Sequence, residues 1–535
     1  MTPAWTQRLT VLNGAWIARA ATPALLAILA LVALHAVYFL AIGLSRPISD
    51  MHEFRQTQTA LSAYWIWREG HFLAYETPVV GYPWSIPFEF PTYEDLVAAL
   101  RAIGVPIVVG GRLISFAFLI GLLWPLAILC DALRLGRTTY LVIAILLLAS
   151  PIHVFWGRTL MIETCAVFFG LAWLAFLARF LERRHARDAV FALLAGILAT
   201  LTKSTTFPPF GLLGGALFCW TVFLDVRAGL NAARIGTLVL AACAGIVPLA
   251  VGLLWVWFSD HVKQANPIGA LLTSSALHGW TFGTLQQRLS YQLWHDVIWR
   301  RAMRDILGGV AVAAPLLVFA AALNRRILGL AIACVAAFLL PFLLLTNLHI
   351  IHNYYQTANA IFLLAAVGLG IAAIAERGGK LLGIVVLLVV VVGQIRYFRD
   401  NFAHVVTVDQ SGAPAIRIGA AIQRLTRPGE AIVVIGDDWS SAIPFYGERK
   451  ALALPFFTPA AMAAKLLDDP ARSLGGDTLG AVVYCPAMVA NYNDGQTAVR
   501  HFVAGRALLA DVAGCQILAA AGDVEHRVVR GVSEP

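Results

Sequence analysis

Residues 24–44 read ALLAILALVALHAVYFLAIGL, and residues 45–55, which follow them, read SRPISDMHEFR. The first stretch holds no charged residue and is long enough, as a helix, to cross the roughly 30 Å apolar core of a bilayer. It exceeds the apolar region of a signal peptide and no cleavage pattern follows, so it reads as a retained span. The second stretch gathers carboxylates, an imidazole and guanidinium groups where the apolar run stops. Long apolar blocks interrupted by such polar segments recur along the chain, and this alternation decides the fold class.

Of the 535 residues, 59% are hydrophobic and 13% charged, with mean hydropathy +0.76. A soluble domain carries about 25% charged residues. The predicted class is therefore a polytopic α-helical membrane protein, of about 11 transmembrane helices. The spans are read at Ala24–Leu44, Arg112–Leu133, Tyr140–Trp156, Thr164–Leu181, Ala189–Thr202, Phe207–Leu224, Gly236–Phe258, Ile306–Leu323, Ile327–Leu348, Ala358–Ala375 and Leu381–Ile395. Ahead of the first, Trp5, Leu9, Leu12 and Trp16 recur at helical spacing beside Arg8 and Arg19, so residues 1–20 are read as a helix on the cytoplasmic surface.

The formal net charge of +9 points to topology rather than to nucleic acid. Its surplus lies in short links: Arg134 with Arg137, Arg183 with Arg184 and Arg187, Arg227 with Arg234, Arg325 with Arg326, and Arg377 with Lys380. These links alternate and fall on the side of Arg8 and Arg19, which the positive-inside rule assigns to the cytoplasm. The expected setting is a bacterial inner membrane, with the N-terminus cytoplasmic and the C-terminus periplasmic. Segments 45–111 and 259–305 then lie outside as loops of a membrane domain spanning 21–397, and the tail 398–535 follows outside.

The tail reads as an α/β domain: helix Ala415–Leu425, strands Ala431–Ile435, Ala451–Leu454 and Gly480–Tyr484, and helix Pro459–Leu467. Strands alternating with helices argue for a parallel sheet. No glycine-rich phosphate fingerprint accompanies it. Among seven cysteines, Cys485 and Cys515 lie in this polar tail and are candidates for a disulfide.

Chemistry-bearing residues concentrate at the outer ends of spans. Asp50, His52, Glu53, Arg55 and Gln56 open the first loop, and Asp50 with Glu53 three residues later is also a capping-box pattern. Glu89 lies between Pro87 and Pro91 among aromatic residues, where a carboxylate must be paired, protonated or metal-bound. Arg158 and Glu163 link spans three and four, and Lys203 lies in the turn after span five. His349, His352, Tyr354 and Tyr355 follow span nine.

On these residues the chain resembles the GT-C superfamily of membrane glycosyltransferases, in the branch of protein O-mannosyltransferases and the lipid A aminoarabinose transferase. The motifs are the acidic first loop followed by Arg55, the Glu-x-Pro pattern at Glu89, the link from Arg158 to Glu163, and the His-x-Tyr-Tyr pattern at His352. The resemblance implies inverting transfer of a sugar from a polyprenyl-phosphate donor to a glycan, lipid or protein acceptor. It makes Asp50, or His52 with Glu53, the general base, and Arg55 a phosphate ligand. Gln56, Arg158, Glu163, Lys203, Arg288, His352, Tyr354 and Tyr355 become candidates for holding the donor, and Glu89 with His352 or His349 candidates for a divalent metal ion. Where the aminoarabinose branch has Lys after the glutamate, this chain has Phe90. A transporter or lipid flippase is the alternative, but no internal repeat is visible and the charges lie at span ends rather than the midplane.

Overall fold

The computed structural model describes residues 15–492 and 495–520. The expected surface helix over 1–20 lies largely outside them; residues 15–20 open the first long helix, Ala15–Gly43. Among the described residues, 10 helices are long and apolar enough to cross a membrane. They correspond to the expected spans, with one exception. The third is a shorter helix, Arg137–Ala149, followed after Ser150 by Pro151–Trp156. Every residue from Leu141 to Ala149 is buried, because helices Ala15–Gly43, Gln356–Arg377 and Lys380–Asn401 pack around it. Elsewhere the spans expose large apolar side chains such as Leu31, Leu34, Ile246, Leu253 and Leu316, as a lipid solvent requires.

The chain divides into two compact units. The first comprises the described parts of Met1–Leu44, Arg112–Leu254 and His278–Val408, and it is the helical bundle. Its Arg-bearing links gather at one end. Arg134 pairs with Glu182, Arg183 with Asp131 and Arg184 with Asp225, Arg326 donates to the Leu133 carbonyl, and Asn324 donates to Glu376. Buried backbone is satisfied in the same unit. Pro248, inside helix Ala232–Gln264, has no N–H to offer the Ala244 carbonyl, and the indole Nε1 of Trp173 donates to that oxygen at 2.8 Å. The helix expected from Ile306 begins earlier: the helical run covers Gln292–Leu323, its first turns polar (QLWHDVIWRRAMRD) and its apolar part following from Ile306.

The second unit joins Ser45–Gly111, Trp255–Leu277 and the described part of Asp409–Pro535. Its helices are α1 (Glu53–Glu69), α2 (Thr92–Ala102), α3 (Pro414–Leu425), α4 (Ala442–Gly447), α5 (Ala460–Asp468) and α6 (Gln496–Val503). Its strands are β1 (Ala431–Ile435), β2 (Ala451–Ala453), β3 (Leu479–Tyr484), β4 (Leu508–Val512) and β5 (Cys515–Ala519), in the order β2-β1-β3-β5-β4. Strand β1 pairs in parallel with β2 and β3, as expected, and is wholly buried, which its unbroken AIVVI run anticipates. The sheet is nevertheless mixed, since β5 runs antiparallel to β3 and β4. The β4–β5 turn places Ala513 and Gly514 both at positive φ. That geometry normally advertises itself as Asn-Gly or Asp-Gly, so the hairpin has a weak signature. Cys485 and Cys515 form a disulfide.

Residues 78–81 of the first loop run along the outer edge of β2. The Ala451 and Ala453 N–H groups donate to the Pro78 and Val79 carbonyls, and the Gly81 N–H donates back to Ala451. The loop thereby covers an exposed strand edge.

Candidate active site

The polar opening of the first loop folds differently from a capping box. Helix α1 starts at Glu53, and its N-cap is His52, held at φ 55°, ψ 45° with no side-chain cap bond. Asp50 lies too far upstream to cap it, so the capping reading of Asp50 is corrected. Its Oδ1 instead accepts from Gln56 Nε2 at 2.5 Å, and the same amide donates to the Met51 carbonyl at 2.9 Å. Gln56 is fully buried, so its fixed side chain sets where the Asp50 carboxylate points. Glu53 accepts from Ser49 Oγ at 3.0 Å. Burial raises the Glu53 pKa, the Ser49 bond offsets part of that, and the Asp50 charge raises it further.

Two residues on, Arg55 splits its guanidinium between two acceptors. Nη1 donates to Gln58 Oε1 at 2.6 Å and Nη2 to Glu89 Oε1 at 2.7 Å. The segment carrying Glu89 is pinned through its backbone. Tyr75 Oη donates to the Glu89 carbonyl at 2.9 Å, Trp255 Nε1 to that of Phe88 at 3.1 Å, and Ser259 Oγ to that of Pro87 at 2.6 Å. Behind it lies Glu94, 4% exposed, with one carboxyl oxygen lacking a hydrogen-bond partner. Burial, with the Glu89 charge second, pushes its pKa to about 8. Sequence reasoning missed Glu94, since an acid in the first turn of a helix reads as a dipole partner.

These donors do not fit a divalent ion. Glu89 faces a guanidinium, and the described residues contain no group of three or more His, Cys, Asp or Glu side chains that could hold a metal.

In the helical bundle a second cluster forms around Lys203. Its Nζ pairs with Glu163, and both side chains are almost completely buried. The ammonium also lies 4.1 Å from the centre of the Tyr355 ring and 5.2 Å from that of Tyr354. The two tyrosines stack at 4.7 Å, and the His352 ring is 5.3 Å from Tyr354. The sequence thus identified five members of one cluster, Glu163, Lys203, His352, Tyr354 and Tyr355, from separate parts of the chain. It did not anticipate that the Lys203 charge is already neutralised by a carboxylate. Arg301, also missed, donates to the His349 and Ile350 carbonyls and fixes the turn ahead of the tyrosines. Arg158 is 1% exposed, its guanidinium 4.7 Å over the Phe155 ring. Arg288 donates to the Leu343 and Phe282 carbonyls, which makes it a helix-end cap.

No family model and no curated protein matches the sequence. Solved structures do resemble it. The crystal structure of ArnT from Cupriavidus metallidurans bound to undecaprenyl phosphate aligns with TM-score 0.60 at 15% identity, over 93% of this chain and 98% of that one. The same protein in the apo state gives 0.59 at 14% identity over the same shares. The cryo-EM structure of the arabinofuranosyltransferase AftD from Mycobacteria gives 0.52 at 14% identity, over 92% of this chain and 39% of that one. At these identities the likeness is one of fold.

Proposed function

We propose that this chain, a multi-pass membrane protein with the GT-C fold, is an inverting glycosyltransferase that uses a polyprenyl-phosphate sugar. The observation that carries the reading is the likeness over nearly the whole length of a structure described as bound to undecaprenyl phosphate. The loop chemistry supports it. A sugar leaving a lipid phosphate needs no nucleotide, but it needs a base for the acceptor and cations for the leaving group.

In the proposed reaction, Asp50, or the nearby pair His52 and Glu53, takes the proton from an acceptor hydroxyl. The hydroxyl oxygen attacks the anomeric carbon from the face opposite the phosphate, so the configuration inverts. The bond from that carbon to the phosphate oxygen breaks, and its electron pair leaves with the polyprenyl phosphate. Fixed cations stabilise the charge that develops on the phosphate. Arg55 is the first-loop candidate and Lys203 the candidate in the bundle. Each already holds a carboxylate, so an arriving phosphate must share the cation. The acceptor is a glycan, a lipid or a protein. The orientation that fits is N-terminus cytoplasmic, because the Arg-bearing links lie together at one end of the bundle.

The test is reconstitution of the purified protein with a panel of undecaprenyl-phosphate-linked sugars and cell-envelope acceptors, following release of undecaprenyl phosphate. Acceptor-dependent release with at least one sugar is expected. Failure of every donor to bind or turn over rejects the reading.

A further inference from the structure

The C-terminal α/β domain is left without a role by the reaction just described, yet it touches the first loop at several points within one compact unit. Its α4 residue Tyr446 offers the hydroxyl that accepts from the Ile48 N–H at 2.7 Å, two residues before Asp50. Trp439, in the loop after β1, meets the Phe54 ring edge-on at 4.9 Å, one residue after Glu53. The same indole lies 5.9 Å from Phe88, beside Glu89. The acidic segment is therefore held at both ends by side chains of the C-terminal domain.

The grip is rigid at its base. Gly436 turns the chain out of β1 at φ +94°, where an added Cβ would stand 2.5 Å from the Cys485 carbonyl oxygen. Its N–H donates to Tyr492 Oη at 3.0 Å, which donates onward to the Leu454 carbonyl at 2.9 Å. Asp438, also at positive φ, accepts from the Phe456 N–H at 3.0 Å. Between them, partial burial raises the Asp437 pKa to about 7, with the Glu53 charge the next cause. The loop at the C-terminal end of a parallel strand beside a change of strand order is where α/β folds present functional groups. Here it presents them to the first loop.

We propose that Trp439 and Tyr446 are positioning residues, through which the C-terminal domain holds segment 48–54, and with it the Asp50 and Glu53 carboxylates, in the geometry that transfer requires. The catalytic part rests on the function proposed above; the grip does not. The bonds from Gln56 to Asp50 and Met51 and from Ser49 to Glu53 tie the segment to itself, and the contacts of Tyr446 and Trp439 tie its two ends to the C-terminal domain. Without the grip its open states gain population, and the base spends less time in reach of its proton. Misplacement of this kind costs turnover rather than donor affinity.

The experiment uses the full-length protein in lipid nanodiscs and reads two quantities. Hydrogen exchange by mass spectrometry follows amides 48–56, with the β1 amides as control. Turnover is measured with the donor accepted in the assay above. Trp439→Ala and Tyr446→Phe should each raise exchange over 48–56 about tenfold, since each removes one net contact or hydrogen bond. The β1 amides should stay protected. In Trp439→Ala, kcat should fall about 10- to 100-fold with KM for the donor nearly constant. Trp439→Phe keeps an aromatic edge for Phe54 and should recover most of both. Unchanged exchange over 48–56 in both loss variants overturns the grip, and raised exchange with unchanged kcat overturns its role in transfer. If the wild type turns over no donor, the function falls and the exchange measurement alone decides the grip. Loss of β1 protection in Trp439→Ala would leave the decision to Tyr446→Phe, which deletes only a hydroxyl.

Discussion

Arg55 and Glu89, distant in sequence, are joined at 2.7 Å, while the other arm of the same guanidinium holds Gln58 at 2.6 Å. A fork of two donors fits this task and an ammonium does not. Arg55→Lys should therefore lose one of the two contacts despite keeping its charge. In a cycle of Arg55→Ala, Glu89→Gln and the double variant, thermal unfolding in detergent should give a coupling of about 1 to 3 kcal/mol. Additive effects would mean that the pair is not held.

Asp50→Asn separates chemistry from structure. The helix N-cap is His52, and Asn keeps an oxygen for the Gln56 amide, so the variant should insert and melt like the wild type. Asn cannot take a proton at neutral pH, and general-base assistance is worth about 10²- to 10⁴-fold. Transfer should fall by that order in a purified assay. Wild-type turnover would move the base to His52 or Glu53.

Glu94 predicts a pH dependence of stability. In the folded chain it stays protonated up to about 8, whereas an unfolded glutamate ionises near pH ~4.3. Between those values only the unfolded chain releases the proton, so stability is full below the lower value. It is then lost at about 1.4 kcal/mol per pH unit as pH rises toward the upper one. Glu94→Gln cannot ionise and should remove this contribution. Apparent Tm measured at steps between pH ~5 and ~8 should favour the variant increasingly as pH rises. Parallel curves would count against a protonated Glu94.

Lys203 and Glu163 should behave as a buried pair. Replacing one partner, as in Lys203→Met, leaves an uncompensated charge and should cost about 3 to 5 kcal/mol. Lys203→Met combined with Glu163→Gln removes both charges and should recover much of that loss. Heating of the purified variants reads the stability. If donor release also returns in the double variant, the pair serves the bundle rather than the phosphate.

The membrane class, the apolar spans, the parallel strands β1 to β3 and the cluster of acids in the first loop were legible in the sequence. Each rests on local pattern: bilayer thickness sets the length of an apolar run, and a strand buried on both faces reads as a short, nearly unbroken apolar run. The Lys203 cluster was legible only as its separate members. Its ion pair with Glu163 depends on two helices meeting, which no spacing along the chain encodes. The capping-box pattern at Asp50 and Glu53 is a local signal that the fold does not use, since the N-cap of α1 is His52 and Asp50 is held by Gln56. Strands β4 and β5 escaped because their turn uses Ala513 where asparagine would have announced it. The attachment of the first loop to the C-terminal domain, through Ile48 to Tyr446, Phe54 to Trp439, and 78–81 to β2, was decided by tertiary structure alone. Such contacts join residues hundreds of positions apart, and the hydrogen bonds and ring edges that make them carry no periodicity a sequence can display.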